Sequence, residues 1–554
     1  MMRRAAETFA EWQKKVKDEE LRSELEAMAS DEKTAENRFY KDLQFGTGGL
    51  RGELGAGTNA MNIYTVGRAS AGLAQYVLSQ GGGAVAVCYD TRRKSALFAR
   101  RTACVLAGRG VRVYLAKECM PTPFLSFAVR HSGAAAGVMI TASHNPAQYN
   151  GYKVYGSDGC QITDGAAAEI SSFISREDYF GKQDDDFDTL SAAGKISYIE
   201  EEVETAYLAA VRRLGLCSAE GLRVAYTPLN GTGYRLVPKV LEEIGASICP
   251  VPEQSMPDGE FPTCPYPNPE KEEALALGLK YAREDKADIL LATDPDADRV
   301  GVAVNAQGTF VRLSGNEVGV LLMDYLLGER AAQGKLPENG VVVKTIVTTS
   351  LAEKLAAHYG VRLIDVLTGF KYIGETIGRL EKDKSGTFLF GFEESCGYLA
   401  GDYVRDKDGV AAAMLIAEMA AHYKRQGKTL AARLAELYAR FGACSGKLLT
   451  FAFGGAEGAE TMAALLEELR RDLPKSFAGR AVERFTDYLA SEKTGLPRSN
   501  VLRFDMKSAR VIVRPSGTEP QMKVYLEASE NEKANAELLC ALEKEMRERF
   551  SSRG

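Results

Sequence analysis

The chain has 554 residues, enough for three or four domains of ordinary size. Hydrophobic residues make up 45% and charged residues 26%, a balance that fits a globular protein with large cores and excludes a disordered or fibrous chain. A net charge of −6 argues against a nucleic-acid binder that works by neutralising phosphates, but leaves open small anions held by a few local cations.

The start, MMRRAAETFAEWQKKVKDEE, lacks the apolar core of a signal peptide. Residues 5 to about 40 are expected to form an amphipathic helix, with Phe9, Trp12 and Val16 on one face as a packing extension. The stretch QFGTGGLRGELGAG (44–57) sets Arg51 among glycines and suits an anion, although it is not a Walker A loop, which needs Gly-Lys-Ser/Thr. No apolar run approaches the ~20 residues of a membrane span. Ten cysteines with no CxxC pair form neither a disulfide nor a zinc framework and fit a reducing compartment. These features predict a soluble, cytoplasmic protein with no membrane or nucleic-acid partner.

One pattern recurs three times. AVAVCYD (84–90) leads through a polar turn and a helical stretch to VRVYLAK (111–117). LRVAYTP (222–228) leads through LNGTG to ASICPVPE (246–253). GVVVKTI (340–346) leads through VTTS to VRLIDVL (361–367). Strand, polar turn, helix, Gly, strand is a βαβ unit, and three widely spaced copies predict three α/β domains with mixed or parallel sheets. The tail around SARVIVRPSGTEPQMKVYLEAS (508–529) predicts a smaller C-terminal α+β domain. The expected divisions are residues 1–205, 206–313, 314–443 and 444–554. The Asp run within SREDYFGKQDDDFD (175–188) reads as a solvated loop.

Between the first two units lies VMITASHNPAQYNGYKVYG (138–156), where Ser143 follows an apolar strand in the manner of an exposed functional serine. No G-x-S-x-G elbow surrounds it, so a hydrolase nucleophile is not indicated. Further on, ADILLATDPDADRVGVAV (287–304) ends an apolar strand in Asp294, Asp296 and Asp298. In an extended loop, alternation by two points the three carboxylates one way, and such a cluster needs a hard cation, Mg²⁺ before Ca²⁺ or Mn²⁺. It is no EF-hand: loop position 6 is Arg299 rather than Gly, and position 12 is Asn305 rather than Glu. LTGFKYIGE (367–375) offers Thr368, Gly369 and Lys371 after a strand end. GFEESCGYLAG (391–401) sets Glu393, Glu394 and Ser395 in a Gly-bounded loop, acceptors suited to a polyol. VRPSGTEP (513–520) combines the Arg514 fork, two hydroxyls and a glycine, a set that can cradle phosphate.

TASHNP, DPDADR, GFEES and RPSGTEP, in this order, resemble the α-D-phosphohexomutases, the phosphoglucomutases and phosphomannomutases, from about Gln44 to the end. The resemblance implies three related α/β domains and a smaller C-terminal one around a central cleft. It implies that Ser143 is a phosphoserine, that Asp294, Asp296 and Asp298 hold one Mg²⁺ per chain with an oxygen from Ser143, and that Arg299 flanks that loop. It makes Glu393 and Ser395, with Thr368 and Gly369, sugar binders. Arg514, Ser516, Gly517 and Thr518 become the clamp for the phosphate that is not transferred. Arg51, His144, Lys153 and Lys371 assist proton transfer and charge balance.

The implied activity is glucose 1-phosphate to glucose 6-phosphate interconversion through glucose 1,6-bisphosphate, by a monomer or dimer whose partners are small sugar phosphates. GFEES followed by CGY, with the N-terminal extension, is similar to the branch of bacterial α-phosphoglucomutases and phosphopentomutases. Phosphopentomutase and phosphomannomutase are the enzyme alternatives. A Mg²⁺-dependent sugar phosphatase and a non-catalytic sugar-phosphate sensor are the alternatives of other classes.

Overall fold

A computed structural model describes every residue except 1, 47, 182–185, 454, 516–520 and 552–554. The chain divides into two compact units: residues 1–315, 370–391 and 395–429 form one, and 316–369, 392–394 and 430–554 the other.

The expected single N-terminal helix is three: Met2–Lys15, Glu19–Met28 and Glu32–Phe39. The breaks come where Asp18 and Asp31 each turn a carboxylate onto a backbone N–H three residues on, so each starts a new helix as an N-cap. Trp12 is 1% exposed and sits edge-on to Phe39, Tyr64, Tyr179 and Phe180. The extension is therefore packed onto the body of its unit, as the shared face of Phe9, Trp12 and Val16 implies.

The first unit holds two mixed sheets. In one, the order is 49–53, 149–156, 136–140, 84–89, 112–115 and 196–198. Strand Ala84–Tyr89 pairs in parallel with Arg112–Leu115 and with Ala136–Ile140, whereas Tyr149–Gly156 returns antiparallel and pairs with Gly49–Glu53. The continuous apolar runs of the central strands are buried on both faces, as parallel strands require. In the second sheet the order is 309–313, 300–306, 289–293, 223–227 and 247–250. Its parallel part again comes from a βαβ unit, Arg223–Thr227 with Ser247–Pro250.

In the second unit, the third repeat forms the parallel pair Gly340–Thr345 and Arg362–Val366. The tail folds into an antiparallel sheet of six strands, including Ala509–Pro515 and Gln521–Ala528, covered by helix Glu532–Ser551. Its core gathers Val511, Val513, Val524, Leu526, Leu542 and Met546. Mixed α/β domains with a smaller C-terminal α+β domain are thus the architecture that the repeats predict. No helix among the described residues is long and apolar enough to cross a membrane.

Candidate active site

The first unit brings together a serine and three carboxylates from two different sheets. Ser143 follows strand Ala136–Ile140, and the acidic loop follows strand Ile289–Thr293. The Ser143 hydroxyl donates to Asp294 Oδ2 at 2.8 Å. Ser143 is 2% exposed, so the expectation of an exposed serine is corrected: the group lies in a buried, charged pocket. Its φ is +51°, in the left-handed region, and its N–H donates to Thr141 Oγ1 at 2.8 Å. Such a conformation costs of order 1–3 kcal/mol and persists where the surroundings impose it.

Arg92, which the sequence reading did not single out, imposes it. Its guanidinium donates to the backbone carbonyls of Ser143 (2.5 Å), Pro146 (2.9 Å), Tyr149 (3.1 Å) and Asn145. Asp90 lies 3.4 Å from its Nε, and Phe261 stacks on it at 5.1 Å. One fully buried fork therefore gathers the whole 143–149 turn. The signal was present in DTRRKS, a polar turn at the C-terminal end of a parallel strand, where ligand sites concentrate.

Asp294, Asp296 and Asp298 each offer an oxygen within 4.8 Å of the others and are all buried. They converge through a tight turn, not through extended alternation: the Ala297 N–H donates to Asp294 O at 2.9 Å, and Ala297 has φ +48°. Asp294 Oδ1 accepts the N–H groups of Asp298 and Arg299, both at 3.1 Å. Gly231 lets LNGTG approach from behind, since a Cβ there would stand 2.5 Å from Pro295 Cα.

Lysines offset the charge. Lys153 donates to Asp296 Oδ2 at 2.9 Å and lies 3.7 Å from Asp298 Oδ2. Lys407 lies 2.9 Å from the same Asp298 oxygen. Thr122, at the start of a helix, donates to Asp296 Oδ2 at 2.9 Å. Thr122 and Lys407 are further site residues that the sequence reading missed; RDKDG, with its Lys between aspartates, was the available signal for the second.

Burial, Asp296 and Asp298 push the Asp294 carboxyl well above the usual range, and burial and Asp296 push Asp298 up. Burial also acts upward on Asp296, but Lys153 and Lys407 outweigh it and hold that carboxyl well below the usual range. Asp296 Oδ1 and Asp298 Oδ1 are buried and accept no hydrogen bond from any described residue. Buried carboxylate oxygens without donors are costly, and hard oxygen ligands converging within such a distance are what a divalent cation needs. The triad fits a metal ion.

The other predicted residues are placed as follows. His144 Nδ1 lies 3.2 Å from Ser143 Oγ, so the two neighbours do meet. Burial, then Arg299 and Arg51, hold the His144 imidazole well below its ordinary pKa, hence neutral. Arg51 donates to Asn145 Oδ1 at 3.3 Å from the strand that pairs with Tyr149–Gly156. Arg299 pairs with Glu270 at 2.7 Å. Lys371 pairs with Asp164 at 2.8 Å.

Ser395 belongs to the first unit, while Thr368, Gly369, Glu393 and Arg514 belong to the second. There the Gly369 N–H donates to Glu393 Oε1 at 3.0 Å, and buried Thr368 Oγ1 accepts or donates no hydrogen bond among the described residues. Arg514 lies on strand Ala509–Pro515 opposite Lys523. Ser516, Gly517 and Thr518 lie outside the described residues.

Four consecutive family models match this chain: phosphoglucomutase/phosphomannomutase alpha/beta/alpha domain I over residues 42–180, domain II over 205–308, domain III over 314–441 and the C-terminal domain over 463–544. The chain belongs to the phosphoglucomutase/phosphomannomutase family. The phosphoglucomutase of Staphylococcus haemolyticus is 36% identical over 505 residues, which cover 89% of this chain and 91% of that protein. The phosphoglucomutase of Staphylococcus saprophyticus is 35% identical over 529 residues, covering 93% and 95%. Among solved structures, a Thermus thermophilus protein assigned as a phosphomannomutase aligns with a TM-score of 0.70 at 26% identity, over 92% of this chain and 99% of that one. The chain is accordingly an enzyme of carbohydrate metabolism with mutase activity, a phosphotransferase-type isomerase.

Proposed function

We propose that this enzyme interconverts glucose 1-phosphate and glucose 6-phosphate by passing a phosphoryl group through Ser143. The observation that carries the proposal is the Ser143 hydroxyl 2.8 Å from Asp294 within the buried triad. Ser143 as phosphoserine donates its phosphoryl to a free sugar hydroxyl: the Oγ–P bond breaks, a sugar O–P bond forms, and the sugar hydroxyl loses its proton as Ser143 Oγ regains one. We assign the relay of that proton to His144, and its neutral imidazole 3.2 Å from Oγ supports the assignment. The resulting glucose 1,6-bisphosphate turns end over end and returns its other phosphate to Ser143.

Asp294, Asp296 and Asp298 would hold one Mg²⁺, which when bound supplies charge neutralisation to the transferring phosphoryl. Lys153 adds positive charge at the same carboxylates. By this reading Thr368, Gly369, Glu393 and Ser395 take the sugar hydroxyls. Arg514, with Ser516, Gly517 and Thr518, takes the phosphate that stays. Arg51, Arg299 and Lys371 balance charge. The corresponding domains are 1–205, 206–313, 314–443 and 444–554, and the setting is cytoplasmic, consistent with ten cysteines that form no disulfide.

The test is to follow isomerisation and phosphate release side by side, with glucose 1-phosphate and ribose 1-phosphate as substrates. Isomerisation with higher kcat/KM for the glucose ester is expected. Phosphate release without isomerisation would make the protein a phosphatase, and preference for the pentose ester would overturn the hexose assignment.

A further inference from the structure

Strand Tyr149–Gly156 presents Lys153 and Tyr155 two residues apart, hence on one face. Lys153 reaches the acidic triad directly. Tyr155, fully buried, donates its hydroxyl to Asp406 Oδ2 at 2.7 Å. Asp406 Oδ1 accepts the Lys407 backbone N–H at 2.8 Å and lies 3.3 Å from the Lys407 ammonium. That ammonium lies 2.9 Å from Asp298 Oδ2. The contacts close a ring: one strand grips Asp298 from one side through Lys153, and from the other through Tyr155, Asp406 and Lys407.

The segment carrying Asp406 and Lys407 is itself fixed. The Arg405 N–H donates to Ser126 Oγ at 2.9 Å, and Asp408 caps helix Gly409–Arg425 while accepting Tyr207 and Tyr403. The Gly409 N–H donates to Ala297 O at 3.1 Å, which pins the segment to the acidic turn. The Lys407 stem runs past Gly397, where a Cβ would come within 2.5 Å of its Cδ. The ammonium therefore lies within ion-pair distance of Asp298 and Asp406, with Asp296 also in its field, and has little freedom to leave.

We propose that Asp406 and Tyr155 are positioning residues that set how far the Lys407 ammonium leans on Asp298, and so how tightly the triad holds a divalent cation. This rests on the metal reading given above. A cation and an ammonium compete for the negative charge of Asp298. Asp406 draws part of the ammonium's charge away from that competition, and the Tyr155 hydroxyl fixes where the Asp406 carboxylate stands. Neither residue touches substrate or cation in this scheme; both act through Lys407.

The test is direct Mg²⁺ binding by titration calorimetry on the full-length, metal-stripped protein, with thermal unfolding as the folding control. Asp406→Asn is expected to weaken Mg²⁺ binding about tenfold, and Tyr155→Phe about threefold. Lys407→Met, which removes the competitor, is expected to tighten it. In the Lys407→Met background, Asp406→Asn is expected to change Mg²⁺ affinity by less than twofold, because its effect runs through the lysine. An equal loss in both backgrounds would overturn the proposal, since Asp406 would then act by its own field or by holding the fold. A Tyr155→Phe or Asp406→Asn protein that binds Mg²⁺ like the parent would also overturn it. If the parent itself binds no Mg²⁺, the metal reading fails first, and that outcome is distinct from either of these.

Discussion

The most informative single change is Arg92→Lys, which keeps the charge and removes the fork. In the native turn one guanidinium spans the carbonyls of Ser143, Asn145, Pro146 and Tyr149. A lysine ammonium donates from a single point and cannot reach all four, so two or three buried carbonyls lose their donor. At about 1 kcal/mol net for each hydrogen bond, and more for a buried acceptor left bare, the loss is about 2–4 kcal/mol. Asp90 keeps a positive partner, so the larger penalty of about 3–5 kcal/mol for an uncompensated buried charge, expected for Arg92→Ala, is avoided. Ser143 is held at φ +51° by this turn, and a shift of about 1 Å in a reacting group costs on the order of 100-fold in rate. Steady-state isomerisation of glucose 1-phosphate should show kcat down by about two orders of magnitude with KM little changed. Thermal unfolding should shift down by about 5–10 °C, at a few degrees per kcal/mol. A variant within twofold of the parent in kcat and with the same unfolding temperature would refute the clamp.

Ser143→Ala should abolish transfer while glucose 1-phosphate still binds, measured by calorimetry; transfer at the parent rate would remove Ser143 from the reaction. Asp296→Asn should lower kcat by about 100-fold or more and raise the Mg²⁺ concentration needed for activity, since one ligand charge is lost; an unchanged Mg²⁺ dependence in the kinetic titration would count against the triad. Burial pushes Glu418 up to about 7 although it accepts the N–H groups of Leu216 and Cys217. Because the folded state binds this proton more tightly than the unfolded chain, the contribution to stability is full below about 4.5 and is lost as pH rises to about 7. Glu418→Gln should therefore raise the unfolding temperature at pH 8 and leave it unchanged at pH 4; equal shifts at both pH values would show that charge is not the cause.

The βαβ repeats were legible because a buried parallel strand leaves an unbroken apolar run, and the three copies pair in parallel where the pattern placed them. Ser143 and the aspartates were legible because polar residues at strand ends in α/β domains have few structural uses. The three-helix form of the N-terminal extension was legible only in part. Asp18 and Asp31 are N-caps, but an Asp in a charged amphipathic stretch looks like any solvated residue until the chain turns. Arg92 and Lys407 escaped because their roles are defined by carbonyls and carboxylates more than 50 residues away along the chain. The local patterns DTRRKS and RDKDG mark polar turns but do not name the partners that folding brings near.

The acid turn and the serine are not independent devices. In the free enzyme the Ser143 hydroxyl donates a hydrogen bond to Asp294 Oδ2, while Asp296 and Asp298 lean on Lys153 and Lys407. A phosphoryl on Ser143 removes that donor and adds negative charge beside a carboxylate which burial and two neighbouring aspartates already push toward protonation. Lys153, Lys407 and Arg299 cannot all move to meet the new charge: the first two are committed to Asp296 and Asp298, and the third pairs with Glu270. The undonated oxygens of Asp296 and Asp298 face the same problem. On the reading proposed above, a divalent cation would resolve both at once, and its binding and the phosphorylation of Ser143 would then favour one another by the same factor. On the proposed reading, exchange of a phosphoryl at Ser143 would also change the charge around the triad, where the Lys407 ammonium, 2.9 Å from Asp298 and 3.3 Å from Asp406, is the nearest cation to Asp298.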